Sequence, residues 1–142
     1  MERPTTKSKA LTWNDRYSVK NALIDNQHKT IFELLNSLYD SLQNKESLVP
    51  IVEIIDRLDD YAVVHFRSEE NLMEEKRFPQ LEAHKVQHDR FRKKATEFKR
   101  DFSEISGDMT IDLFVFLKHW WINHILTSDQ AYVPYVSESG DD

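Results

Sequence analysis

The fold is decided by residues 51–76, which read IVEIIDRLDDYAVVHFRSEENLMEEK. Apolar side chains recur there at the spacing that places them on one face of a helix. The predicted inner stripe comprises Ile51, Ile54, Ile55, Leu58, Tyr61, Ala62, His65, Phe66, Leu72 and Met73. Glu69 lies one turn beyond His65 on the same face, because four residues turn a helix by about 400°. The stretch therefore predicts a long amphipathic helix with a histidine–carboxylate pair on its buried side.

Three further segments show the same periodicity, at residues 19–43, 79–102 and 108–127. Ser47 is a plausible N-cap of the helix quoted above, with Pro50 in its first turn. Only short breaks separate the four segments, and short breaks join antiparallel neighbours. The sequence therefore predicts an all-α protein, an up-down-up-down antiparallel four-helix bundle. A different packing of the same helices stays open at this point.

The composition narrows the functional classes. The chain has 142 residues, which suits one domain, and only two glycines, which argues against a β-sandwich or barrel rich in tight turns. It has no cysteine, so disulfides, thiolate metal sites and cysteine nucleophiles are excluded. The formal net charge of −6 is unfavourable for binding nucleic acid or an anionic membrane surface.

The two ends of the chain are expected to lie outside the bundle. We predict a flexible arm at residues 1–12, the bundle at residues 13–136 and an acidic tail at residues 137–142. The first ten residues lack the apolar core of a signal peptide, and the longest apolar runs are too short to span a bilayer. A cytoplasmic monomer is the expectation.

The histidines are the unusual feature of the composition. Every predicted helix carries at least one of the six: His28, His65, His84, His88, His119 and His124. A single histidine on an apolar stripe is usually a satisfied core or surface residue. Five that point inward would each cost about 1–3 kcal/mol if left without a partner. A metal site for iron, manganese or zinc in the bundle core would satisfy all of them together.

Taken together, the motifs of this sequence resemble those of the hemerythrin family over roughly residues 11–135. The order, types and spacings of several motifs carry the resemblance, and together they are specific although each alone is weak. They are Trp13, Tyr17-Ser18-Val19, Ile24-Asp25-Asn26-Gln27-His28, His65-Phe66-Arg67-Ser68-Glu69-Glu70, Leu72-Met73, Pro79, His84, His88, Phe91, Trp120, His124-Ile125 and Asp129.

The resemblance implies a non-haem di-iron centre with an oxo or hydroxo bridge, in the core of the bundle. Its implied ligands are His84, His88 and His124 on one iron, His28 and His65 on the other, and Glu69 and Asp129 between the two. Asp129 follows His124 by five residues, about 140° around an ideal helix. Both side chains can reach one site only if the fourth helix loosens or ends near residues 127–128.

The resemblance also implies reversible dioxygen binding. Two roughly octahedral irons offer about twelve positions, of which these ligands and the bridge fill all but one. A carrier, store or local supplier of dioxygen is therefore expected, rather than an enzyme. The alternatives are a di-iron peroxidase, oxidase or nitric oxide-handling enzyme, and a sensor of dioxygen or iron. Ferritin-like oxidation is disfavoured, because such sites are rich in carboxylates.

Two positions depart from the usual family pattern. Trp121 stands where leucine is common, and with Ile125 it is expected to line the dioxygen pocket; packing in an adjacent core gap is the alternative. His119 stands where an acidic residue is frequent, and is expected on the surface. Asp25 and Asn123 are predicted to orient the ligands by hydrogen bonds. Glu70 is predicted either to face solvent or to support a ligand.

Overall fold

The computed structural model describes residues 10–44, 48–100 and 107–137. Four long helices form the predicted antiparallel bundle: α1 Ala22–Gln43, α2 Leu48–Glu75, α3 Leu81–Arg100 and α4 Gly107–Leu126. A 3₁₀ turn, Asp15–Tyr17, precedes them, and a second one, Asp129–Tyr132, leads into the short helix α5, Val133–Val136. This described part of the chain contains no strand and no helix long and apolar enough to cross a membrane.

The helices pack through the apolar stripes that the sequence predicts. α1 lies against α2 and α4, and α2 also contacts α3. Leu35 and Leu38 of α1, Phe66 of α2, and Trp121 and Ile125 of α4 lie fully buried in the main core. A second, smaller cluster closes the end of the bundle where α1 begins, and it comprises Val19, Ile24, Met73, Phe78, Tyr132 and Val136. The histidines lie between these two apolar regions.

The helix ends differ slightly from prediction. α1 begins at Ala22 rather than at Val19, because the backbone turns at Lys20, whose φ of 63° is left-handed. Asn21 then caps the helix by accepting a hydrogen bond from the amide of Ile24. α3 begins two residues after Pro79. The predicted cap at Ser47 lies outside the described residues, as do residues 103–106 of the break predicted at residues 103–108. α4 begins at Gly107, inside that predicted break.

Part of the predicted N-terminal arm packs on α1. Leu11 is buried, and its amide and carbonyl both bond the side chain of Asn36, at 2.9 Å each. The indole of Trp13 then contacts the rings of Tyr17 and Phe32. Residues 1–9 of that arm, and residues 138–142 of the predicted tail, lie outside the described residues.

The core interpretation can be tested with two leucines of α1. Leu35 is 0% exposed and Leu23 is 54% exposed. We expect Leu35→Ala to lower the free energy of unfolding by about 2–5 kcal/mol, because it leaves a cavity. The matched control Leu23→Ala should change it by about 0.5 kcal/mol or less. Urea unfolding measures both, and equal losses would contradict this packing.

Candidate metal centre

Seven buried side chains converge at the end of the bundle where α1 begins. Antiparallel packing places the first turns of α1 and α3 beside the last turns of α2 and α4. These helices carry six of the seven imidazole and carboxylate side chains, and the 3₁₀ turn after α4 carries the seventh. The seven residues are those that the sequence predicts as ligands: His28, His65, Glu69, His84, His88, His124 and Asp129.

Asp129 reaches the cluster because α4 stops before it. The helix ends at Leu126, residues 127 and 128 form a turn, and Asp129 opens the 3₁₀ turn. Ser128 fixes this change of direction, since its hydroxyl donates to Gln87 Oε1 of α3 at 2.6 Å. The prediction that the fourth helix loosens or ends between His124 and Asp129 is confirmed, and of the two alternatives the helix ends.

The cluster has two halves that share Glu69. The three-histidine half contains His84, His88 and His124, and the two-histidine half contains His28 and His65. Glu69 Oε1 lies 2.9 Å from His88 Nε2 and 3.4 Å from His84 Nε2. Its other oxygen, Oε2, lies 3.7 Å from His65 Nε2 and 3.8 Å from His28 Nε2. The carboxylate thus presents one oxygen to each half.

Asp129 spans the two halves in the same way. Its Oδ1 lies 3.1 Å from Nε2 of both His84 and His124. Its Oδ2 lies 3.2 Å from His28 Nε2. The two carboxylates therefore lie between the same two groups of imidazoles, the arrangement that bridging ligands require.

Several of these buried polar atoms lack a hydrogen bond within the protein. They include both ring nitrogens of His28, Nε2 of His65 and of His88, Oε1 of Glu69 and both carboxylate oxygens of Asp129. Such atoms cost free energy unless something satisfies them. Imidazole nitrogens and carboxylate oxygens are good ligands of divalent iron, manganese and zinc. The cluster therefore suits a metal site.

Electrostatic interactions keep the carboxylates ionised. Burial by itself would raise the pKa of Glu69 and Asp129, but the neighbouring histidines outweigh it and hold the pKa of each well below its usual range. Burial would also lower the pKa of His84, yet the nearby carboxylates of Asp129 and Glu69 raise it to about 9. For His65 burial prevails and lowers the pKa to about 3, against the attraction of Glu69.

Tyr132 is a member of the site that the sequence did not reveal. Its hydroxyl donates a hydrogen bond to Glu69 Oε2. Burial, followed by the charges of Asp129 and Glu69, raises the pKa of Tyr132 well above its usual range, so the phenol remains a donor. Tyr132 follows Asp129 by one turn of 3₁₀ helix, and such residues share a face. A 3₁₀ turn predicted at residues 129–132 would have placed Tyr132 on the same face as Asp129.

The hydrogen bonds to the Nδ1 atoms of His65 and His88 come from residues other than Asp25 and Asn123. Gln27 Oε1 lies 2.7 Å from His65 Nδ1, and Glu70 Oε2 lies 2.7 Å from His88 Nδ1. Asp25 instead accepts from the hydroxyl of Ser18 and the amide of Val19, which holds the chain entering α1. The side chain of Asn123 is exposed. The interpretation of Asp25 and Asn123 as supports of the histidines is therefore corrected.

Aromatic side chains surround the imidazoles. The ring centroid of Trp121 lies 5.8 Å from that of His65, so this residue borders the two-histidine half. Trp120 stacks on His124 at 4.4 Å, on the other half. Ile125 is fully buried, next to His124 in sequence. His119 is exposed and lies outside the cluster.

Comparisons with known proteins bear on the family and the fold of this chain. The family model described as the hemerythrin HHE cation binding domain matches residues 19–136. A bacteriohemerythrin of Pseudomonas aeruginosa is 38% identical over 129 residues, which cover 91% of this chain and 83% of that protein. A bacteriohemerythrin of Methylococcus capsulatus is 32% identical, over 89% of this chain and 97% of that protein. The crystal structure of a wild-type hemerythrin has a TM-score of 0.78 and 31% identity, over 90% of this chain and 98% of that one.

Metal content should depend on the clustered histidines and not on His119. We expect the wild-type chain to load two divalent ions, His65→Ala to load fewer, and the matched control His119→Ala to load two. Elemental analysis of the purified variants measures the number of ions per chain. Equal loading of His65→Ala and His119→Ala would show that His65 is not a ligand.

The pKa shifts predict an optimum of stability for the metal-free protein. The pKa of His65 falls to about 3 on folding, so below the unfolded value of about 6.5 the unfolded chain binds more protons and stability declines. The pKa of His84 rises to about 9, so its contribution is complete below about pH 6.5 and is lost as the pH rises through about 9. We therefore expect the free energy of unfolding to peak near pH 6.5.

Denaturant titrations of chelator-treated protein between pH 4 and pH 10 test this prediction. His65→Asn should flatten the decline on the acid side, and His84→Asn should flatten the decline on the alkaline side. A stability that rises steadily up to pH 10 would contradict the assigned shifts.

Proposed function

We propose that this chain, which belongs to the hemerythrin family, binds dioxygen reversibly at a pair of iron ions held by the seven clustered side chains. The observation that carries the proposal is the position of Glu69 and Asp129, each with one oxygen toward each group of imidazoles. Such an arrangement suits two neighbouring ions rather than one. Members of this family are generally dioxygen-binding proteins rather than enzymes.

The chain would divide its ligands unequally between the ions. His84, His88 and His124 would hold one iron, His28 and His65 the other, and Glu69 and Asp129 would bridge them. When bound, the irons and an oxo or hydroxo bridge would supply the electrons and the coordination site for dioxygen. The two-histidine half has one donor fewer, so the open position would lie there.

The surroundings of the two-histidine half favour a small apolar ligand. Trp121 is buried beside His65, and its indole stacks on Phe66 at 5.4 Å. These apolar side chains would keep bulk water and larger substrates away from the open position. A diatomic molecule needs little space, whereas oxidation of an organic substrate would need room for that substrate beside the ions.

The donor set also favours reversible binding over cleavage of the O–O bond. Neutral imidazoles donate less charge to a metal than carboxylates do, so a site with five of them stabilises highly oxidised iron less. In this cluster the only carboxylates that face the imidazole Nε2 atoms are Glu69 and Asp129. We therefore propose a carrier, store or local supplier of dioxygen.

An optical spectrum of the iron-loaded, reduced protein tests this function directly. We expect a visible charge-transfer band to appear under air, to disappear under argon and to return over several cycles. The apoprotein under the same gases is the control. Catalytic consumption of dioxygen with a reducing substrate, in place of reversible binding, would assign the chain to the enzyme class.

Trp121 should control how long the dioxygen-bound form survives. We expect Trp121→Leu to change the rate of autoxidation several-fold, because it opens space beside His65. Trp13→Leu is the matched control, since Trp13 packs on Tyr17 and Phe32 away from the cluster. Decay of the visible band under air gives the rate, and equal rates in wild type and Trp121→Leu would sink the pocket role.

A further inference from the structure

We propose that Glu70 and Gln27 are positioning residues that set the metal affinities of the two halves separately. A carboxylate supports His88 in the three-histidine half, and an uncharged amide supports His65 in the two-histidine half. The charge behind His88 would strengthen the first half selectively. This inference rests on the proposed metal site, and it does not depend on dioxygen binding.

Glu70 is well placed to orient His88. It follows Glu69 by about 100° around α2, so it points past the cluster toward α3 while Glu69 points into it. Its Oε2 is 2.7 Å from His88 Nδ1. A carboxylate oxygen accepts, so His88 Nδ1 is the donor of this bond, and Nε2 is left to face the cluster, 2.9 Å from Glu69 Oε1, where a bound cation would take its lone pair. The hydrogen bond thereby presents the ligating nitrogen to the cluster.

Phe66 and Arg92 contact the two side chains that form this hydrogen bond, His88 and Glu70. Phe66 stacks on the His88 ring, with centroids 3.9 Å apart and an angle of 14° between the planes. The Arg92 guanidinium lies 5.1 Å from the centroid of Phe66 and 3.9 Å from Glu70 Oε2. One cation therefore neighbours both groups that fix His88.

Gln27 serves His65 with a neutral group. Its Oε1 accepts from His65 Nδ1 at 2.7 Å, and its Nε2 donates to Ser68 Oγ at 3.2 Å. The bond to Ser68 sets the orientation of the amide, so the oxygen faces the imidazole. The other imidazole of this half, His28, has no hydrogen-bond partner at Nδ1. Neither imidazole of the two-histidine half is thus backed by a charge.

The difference in charge should appear in metal affinity. A bound cation makes the imidazole N–H more acidic, and a carboxylate stabilises that polarised ring more than an amide does. Hydrogen bonds to charged groups are roughly twice as strong as neutral ones. Loss of a partner behind a ligating histidine typically weakens metal binding about 10–100-fold. Glu70 should therefore affect one binding step and Gln27 the other.

Calorimetric titration of the metal-free full-length chain with Zn²⁺ tests the inference. We expect two binding events in the wild type. Glu70→Ala, which removes the partner of His88, should weaken the tighter event about 10–100-fold. Glu70→Gln, which removes only the charge, should weaken the same event by a smaller factor, and both variants should leave the weaker event close to wild type. Gln27→Glu should strengthen the weaker event. Glu74→Gln is the matched control, because it removes an equal charge from an exposed position one turn further along α2.

The histidine tautomers of the metal-free protein distinguish positioning of the imidazoles from a general effect on the fold. We expect ¹⁵N NMR to find His65 and His88 protonated at Nδ1 in the wild type. Glu70→Gln retains an acceptor and should keep that tautomer, whereas Glu70→Ala should release it. A His88 without a proton at Nδ1 in the wild type would overturn the positioning role.

The outcomes separate this inference from the metal site itself. If the wild type binds no Zn²⁺, the metal site and the inference both fail. If the wild type binds two ions and Glu70→Gln matches Glu74→Gln in both events, the inference fails and the metal site stands. Thermal unfolding of metal-free Glu70→Gln is the control for folding. A cooperative transition like that of the wild type would show that weak binding does not come from unfolding.

Discussion

The structure depends on burying two ionised carboxylates among five imidazoles at one end of a helical bundle. Isolated carboxylates in such a place would be costly, because burial disfavours the charged form. Glu69 and Asp129 stay ionised because histidines from all four long helices and the phenol of Tyr132 surround them. Each long helix must therefore turn its histidine-bearing face toward the cluster. This requirement fixes the rotation of each helix about its axis and constrains the packing of the whole bundle.

The connections of the chain follow from the same requirement. A continued α4 would carry residue 129 about 140° away from the face of His124. The helix instead ends at Leu126, and the following 3₁₀ turn delivers both Asp129 and Tyr132. The turn then leads into α5, whose Val136 joins the small apolar cluster that closes the bundle below the histidines. Interrupting a regular helix is thus what brings the second carboxylate into the cluster.

The sequence predicts the fold and the inward histidines because both are periodic features, whereas Asp129 is predicted from the family resemblance. Apolar spacing sets the buried face of each helix, and histidines on that face must meet inside an antiparallel bundle. The supports of the histidines were harder to predict. Asp25 and Gln27 both lie shortly before His28 in the sequence. Only the packing of α1 against α2 determines that Gln27 hydrogen-bonds His65. The left-handed turn at Lys20, which delays α1, carries no clear signal in a non-glycine residue.

The unsatisfied atoms of the cluster connect function to stability. Phe66, Trp120 and Trp121 pack directly on the histidines, so the cluster lies in surroundings with little water. The same surroundings strengthen electrostatic interactions and make every unpaired polar atom more costly. A cation that binds the folded chain would remove these costs, and its binding free energy would add to the stability of the fold. The cluster would therefore destabilise the fold without metal and stabilise it once metal is bound.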